Sequence, residues 1–150
     1  MTLILNPAPE LYAAGQPSPE ELAELSRRGV RTVINLRAAS EPEPFEEDEA
    51  AEALGLRHVR LPVSGPQDLN AQTVAQFSRQ MDEARARGAV LVHCASANRV
   101  GAMLALEHAW ARGAAAQRAL DLGRRAGLTT LEPTVAVLLG LDVPAAGGAP

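Results

Sequence analysis

The chain has no lysine. All 14 basic residues are arginine, so Schiff-base chemistry and a Walker-type phosphate lysine are excluded. It has one cysteine, Cys94, which rules out an internal disulfide and a cysteine-rich zinc site. Aromatic residues make up only 3% of the sequence. The core must therefore be built from Leu, Val and Ala, and a stacking platform for single-stranded nucleic acid is disfavoured. The net charge of -4 leaves no basic patch of the kind that binds nucleic acid. No apolar run approaches the length of a membrane span. The segment Met1 to Pro7 lacks the basic start and long apolar stretch of a signal peptide. No metal motif is present, and no Gly-x-Gly pattern follows the early strands. These absences lead to the expectation of a cytoplasmic protein without a cofactor and without a nucleic-acid or membrane partner. The oligomeric state is not readable.

What is present is an ordinary globular composition, 47% hydrophobic and 21% charged, long enough for one domain with its own core. The expected domain covers residues 1–142, with a flexible Ala/Gly/Pro tail over 143–150. Ser18-Pro19-Glu20-Glu21 is a helix start, with a capping Ser and Pro in the first turn, and the helix runs to about Arg28. Strands are expected at Leu11–Ala14, Val30–Leu36, Leu56–Pro62 and Ala89–His93. Further helices are expected over Phe45–Leu54, Ala71–Arg87, Arg99–Ala111, Ala114–Arg125 and Leu131–Leu139. Asn70 or Asp68 is the candidate cap of the Ala71–Arg87 helix. The acidic stretch from Ala38 to Glu52 reads as a solvated face. Strands alternating with helices predict an α/β fold of three layers, with a mainly parallel central sheet flanked by helices. Ligands in such sheets bind at the carboxyl ends of the strands.

Cys94 lies at one such end. The order is an apolar strand, His93-Cys94, four residues, Arg99 and a helix. A thiolate is the reactive form of cysteine, and the positive helix terminus and Arg99 both favour negative charge at this point. His93, Ala95, Ser96, Ala97 and Asn98 would complete an anion-binding loop of converging backbone N–H groups. Arg99 would grip two oxygens of a tetrahedral anion as a fork. Arg37, at another strand end, is read as surface or structural. His58 and His108 have no ligand-like spacing and are read as non-catalytic, and Trp110 as a core residue.

The segment from Leu91 to Gly101 resembles the signature of the cysteine-dependent protein tyrosine and dual-specificity phosphatase superfamily. With Tyr12 to Pro17, Val30 to Arg37 and Gly123 to Leu128, the chain is similar to the bacterial phosphatase-like domain family related to beta-lactamase hydrolase-like proteins. The resemblance implies a phosphatase-like fold and a hydrolase that passes through a phosphocysteine. In it Cys94 is the nucleophile, Arg99 the oxyanion ligand, His93 the residue that promotes the thiolate, and Asp68 the candidate general acid. Asp68 is equally readable as a cap or a plain loop acid.

Three departures stand out. The family loop has five residues between Cys and Arg, and this chain has four. The usual loop glycine is Ala97, which resists a positive φ. The hydroxyl residue that often follows the Arg is Val100. A four-residue loop resembles that of rhodanese-type sulfurtransferases, where the cysteine carries a persulfide. Three readings therefore stand: a phosphatase acting on a phosphate monoester, a rhodanese-like sulfurtransferase, and a non-catalytic anion- or phosphoprotein-binding module. The substrate contains phosphate or sulfur.

Overall fold

The computed structural model describes residues 2–141; the tail expected over 143–150 lies outside them. Among the described residues there are five strands and six α-helices, with a short 3-10 turn at Pro66–Asp68. The strands and α-helices are β1 Ile4–Ala8, β2 Leu11–Ala14, α1 Pro19–Arg27, β3 Val30–Asn35, α2 Glu47–Ala53 and β4 Arg57–Arg60. Then follow α3 Ala71–Arg85, β5 Ala89–His93, α4 Asn98–Trp110, α5 Ala116–Arg125 and α6 Glu132–Leu138. The sheet order is β1-β2-β5-β3-β4. All pairings are parallel except the β1–β2 edge hairpin. The fold is thus a single α/β domain with a mainly parallel sheet, as the alternation predicts.

Local chemistry explains most boundaries. Ser18 accepts the Glu21 N–H while the Glu21 carboxylate accepts the Ser18 N–H at 2.9 Å, a reciprocal cap that starts α1. Asn70, and not Asp68, caps α3 by accepting the Thr73 N–H at 2.9 Å. Residues 4–8, for which no strand is expected, form β1. Its pairing to β2 is interrupted between Leu5 and Ala8, where Pro7 lacks an N–H. An edge strand tolerates such a gap.

The sheet is buried on both faces. Phe77, Met81, Met103, Leu104, Leu106 and Leu120 dominate the larger cluster, between the sheet and the α3–α4–α5–α6 layer. Leu22, Leu25, Val33, Ala51 and Leu91 form the smaller cluster beneath α1 and α2. Every residue of α4 from Val100 to Glu107 is buried, so this helix is a central rod with its N-terminus under the Cys94 loop.

Trp110 is a correction. It is 42% exposed, because the last turn of α4 emerges beside the start of α3. There the indole borders a shallow apolar depression with Ala71, Val74 and Ala75. No helix among the described residues is long and apolar enough to cross a membrane.

The α4–α5 contact is backbone-close. A Cβ added at Gly101 would lie 2.4 Å from the Leu128 amide nitrogen and 2.6 Å from the Gly123 carbonyl oxygen. Backbone cannot yield as a side-chain tip can. The substitution Gly101→Ala should therefore cost about 3 kcal/mol, at the upper end for overpacking. Urea unfolding measures this, and an unchanged midpoint would contradict the close approach of these elements.

Candidate active site

Side chains in a strand alternate between faces. Along β5 and the residue that follows it, Val90, Val92 and Cys94 belong to the α4 face and Leu91 to the α2 face. His93 follows Leu91, so His93 and Cys94 point to opposite sides of the sheet. Each meets a different set of partners.

On the α4 side, Cys94 is fully buried. Its amide donates to the Ala14 carbonyl at 3.2 Å, which leaves the loop to begin at Ala95. The Ala95 carbonyl accepts from the Gln16 N–H at 3.2 Å, so the β2–α1 turn pins the loop from one side. The amides of Ala95, Ser96, Asn98 and Arg99 donate to no backbone carbonyl among the described residues. They are donors at the N-terminus of a buried helix and are available to an anion.

Ala97 adopts the left-handed region, at φ 74°. A non-glycine residue there stores about 1 kcal/mol or more of strain. Its compensation is visible in the packing. Ala97 is fully buried, and a Cβ at Gly127 would lie 2.5 Å from the Ala97 Cβ. The methyl group that strains the loop thus fills the space left by a glycine across from it. The Asn98 side chain turns away from the loop. Its oxygen accepts the Thr129 and Leu131 N–H groups at 2.9 and 3.2 Å, and its amide donates to the Thr130 hydroxyl at 2.7 Å.

Arg99 is held before any substrate arrives. It donates to both oxygens of Glu41, at 2.6 and 2.8 Å, and to the Val63 carbonyl at 2.9 Å. The Glu41 hydrogen bonds raise the Arg99 pKa, against the effect of burial, and proximity to Cys94 adds to the rise. Reciprocally, Arg99 pulls the Glu41 carboxyl down to about 2. Glu41 also accepts the Ala38 N–H at 2.6 Å, which ties the start of the acidic stretch into the site. Arg37 is structural. It donates to Gln16 at 2.9 Å and to the Pro42 carbonyl at 2.6 Å. Asp68 is half-buried on the loop after β4 and accepts the Ser64 N–H at 2.7 Å.

On the α2 side, His93 is fully buried. Its Nε2 lies 2.5 Å from Glu47 Oε2, and its Nδ1 donates to the Cys94 carbonyl at 3.2 Å. His58 on β4 reaches the same Glu47 oxygen with its Nε2 at 2.9 Å and meets Asp48 through Nδ1. Two readings change here. His58 joins His93 through Glu47, which its spacing in the chain concealed. The acidic stretch is not wholly a solvated face, because Glu47 is 1% exposed. Burial alone pushes the Glu47 carboxyl up. Hydrogen bonds from His58 and His93 outweigh it and hold the carboxyl well below its usual range. His58 is pushed down by burial and, more strongly, up by Glu47 and Asp48.

Known proteins match most of the chain. Residues 6–132 match the family model described as PTP-NADK, a DSP-PTPase phosphatase fused to NAD+ kinase. The beta-lactamase hydrolase-like protein of Xylella fastidiosa (strain Temecula1) is 38% identical over 100 residues, which cover 64% of this chain and 22% of that protein. The chain thus spans about a fifth of the length of the curated relatives it matches. Among solved structures, a DUF442 protein of Shewanella putrefaciens superposes with a TM-score of 0.68 at 25% identity, covering 91% of this chain and 85% of that one. TpbA of P. aeruginosa, solved in complex with pTyr, superposes with a TM-score of 0.72 at 22% identity, covering 94% and 90%.

Two outcomes follow from the loop and its clamp. Glu41 has a folded-state pKa depressed to about 2 from an ordinary 4.5. Its stabilising effect is therefore complete above the ordinary value and lost as pH falls through the depressed one. The difference in thermal midpoint between the wild type and Glu41→Gln should be full at neutral pH and should close as pH falls from about 4.5 to about 2; a constant difference would contradict the ion pair. The substitution Gly127→Ala should cost about 2–4 kcal/mol in thermal unfolding. Adding Ala97→Gly should recover part of that loss, since it removes the opposing methyl group.

Proposed function

Because the chain belongs to the family of DSP-PTPase phosphatase domains described as fused to NAD+ kinase, we propose that it hydrolyses a phosphate monoester through a phosphocysteine on Cys94. One observation carries the reading. A buried cysteine sits at the N-terminus of a buried helix, beneath a loop with free amides and beside a fixed arginine.

In the first step the Cys94 thiolate attacks phosphorus and the bond to the leaving oxygen breaks. The free loop amides and Arg99 hold the non-bridging oxygens as charge redistributes, the kind of preorganised stabilisation worth about 10²–10³ in rate per donor group. Arg99 needs no reorganisation, because Glu41 and the Val63 carbonyl already orient it. Asp68 is the proposed proton donor to the leaving oxygen, with one carboxyl oxygen accepting the Ser64 N–H and the other carrying the proton. Water then attacks phosphorus and gives one proton to the Asp68 carboxylate, the S–P bond breaks, and inorganic phosphate leaves with Cys94 again a thiolate.

A second reading rests on a separate observation: four residues, not five, separate Cys94 from Arg99, and Val100 offers no hydroxyl. A smaller ring of donors suits a smaller anion. In that chemistry the Cys94 thiolate attacks the outer sulfur of thiosulfate, the S–S bond breaks and sulfite leaves. The resulting persulfide then passes its outer sulfur to an acceptor such as cyanide.

Wild type, Cys94→Ser and Arg99→Ala should be compared on an aryl phosphate and, separately, on thiosulfate with cyanide. Phosphate release lost in Cys94→Ser by roughly 10³-fold or more, and in Arg99→Ala by about 10²–10³, is the expected result. Thiocyanate formation without phosphate release would replace the phosphatase reading with sulfur transfer. Neither product, with phosphate still bound, would leave an anion-binding module.

A further inference from the structure

We propose that Glu47, His58 and His93 form a binding site for one first-row divalent cation of the zinc class, on the sheet face opposite the thiol. One oxygen or nitrogen from each of the three side chains lies within 4.8 Å of the others. The three come from three elements, α2, β4 and β5. Both imidazole Nε2 atoms are aimed at a single oxygen, Glu47 Oε2. Bonds of about 2.0–2.2 Å to zinc would need this triangle to widen by less than about 1 Å.

The surroundings of the trio have the form of a metal site's outer shell. Ligating histidines donate their second ring N–H to a carboxylate or backbone carbonyl, which fixes the tautomer. Here His58 Nδ1 meets the Asp48 carboxylate and His93 Nδ1 meets the Cys94 carbonyl. Gln16 donates to Glu47 Oε1 at 2.8 Å, which anchors the carboxylate with Oε2 turned to the rings. Every atom pointing away from the centre is thus fixed by a partner of the right kind.

The donor inventory also favours a cation. Each ring's Nδ1 already faces an acceptor, and both Nε2 atoms converge on one carboxylate oxygen, with Asn35 Nδ2 3.5 Å from His58 Nε2. A single divalent cation placed among them would bond to all three ligand atoms. Two imidazoles and one carboxylate suit zinc or ferrous iron better than magnesium or calcium. The three side chains are 5% exposed or less, so such an ion would be structural. It would fix the backbone at Cys94 through His93.

The test uses the tag-free full chain, treated with a chelator and titrated with Zn²⁺ by calorimetry and with Co²⁺ by absorption. The expected result is one equivalent bound, affinity lost at least 100-fold in Glu47→Gln and His58→Gln, lowered about 10-fold in Asp48→Asn, and retained in Cys94→Ser. Binding well below one equivalent, binding unchanged in His58→Gln, or binding lost in Cys94→Ser would each overturn the proposal. Where the ligand variants fail to fold by circular dichroism, X-ray absorption of the zinc-loaded wild type decides. Imidazole nitrogen and oxygen without sulfur supports the site, and a sulfur neighbour overturns it. Neither arm depends on phosphate or sulfur turnover.

Discussion

His93 ends a strand buried on both faces and Cys94 follows it, and the continuing alternation sends their side chains in opposite directions. Everything at the site depends on that division. Cys94 goes to the α4 side, where it meets a helix terminus and Arg99. His93 goes to the α2 side, where a buried carboxylate receives it. The backbone between them belongs to both faces: the Cys94 carbonyl is an acceptor for the His93 ring while the Cys94 amide completes the sheet at Ala14. The His93 ring is thus tied to the same peptide backbone that carries the thiol.

Two carboxylates from one acidic stretch then brace the two sides separately. Glu41 lies before α2 and grips Arg99; Glu47 opens α2 and meets His93 and His58. A bidentate carboxylate–guanidinium pair fixes a plane as well as a distance. Arg99 can therefore present its remaining edge to the loop without sampling rotamers. The same pair sets a condition on binding, since any anion in the loop shares the Arg99 charge with Glu41. The acidic stretch thus tunes how much positive charge the loop retains.

The fold and the placement of Cys94 and Arg99 between a strand and a helix were legible because their signals are local. The β-branched run of Val30 to Asn35, the capping residues around Ser18, and the strand–Cys–loop–Arg–helix order of 89–110 each occupy one short window. The bracing residues were not legible in the same way. Glu41 and Glu47 sit among other acids, and no periodicity separates the two that turn inward from those that stay in water. His58 lies 35 positions from His93, and only the crossover of β4 beside β3 brings it back. A signal was nonetheless present. His58 and His93 both lie on parallel strands that flank β3, and both share the face of Val33 and Leu91. Strand order plus alternation would have put two imidazoles on one face. Trp110 misled for a related reason: a helix pattern gives the buried stripe but not where the helix outruns its neighbours.

Ala97 shows how a local rule can be broken at a site and balanced from elsewhere. The loop requires a left-handed residue there, and glycine would supply it without strain. Alanine instead places a methyl group against Gly127, a position that itself has positive φ, 104°. The glycine has in effect been moved across the contact. Glycine at 97 would leave the loop freer to change shape, whereas the methyl group locks it to the α5–α6 turn. That turn is already held by Asn98 through Thr129, Thr130 and Leu131. A loop of four residues clamped on one side by Gln16 and on the other by this turn has little capacity to expand around a bulky group. Its ring of amides is thus held at a fixed size, beside an Arg99 that Glu41 fixes in place.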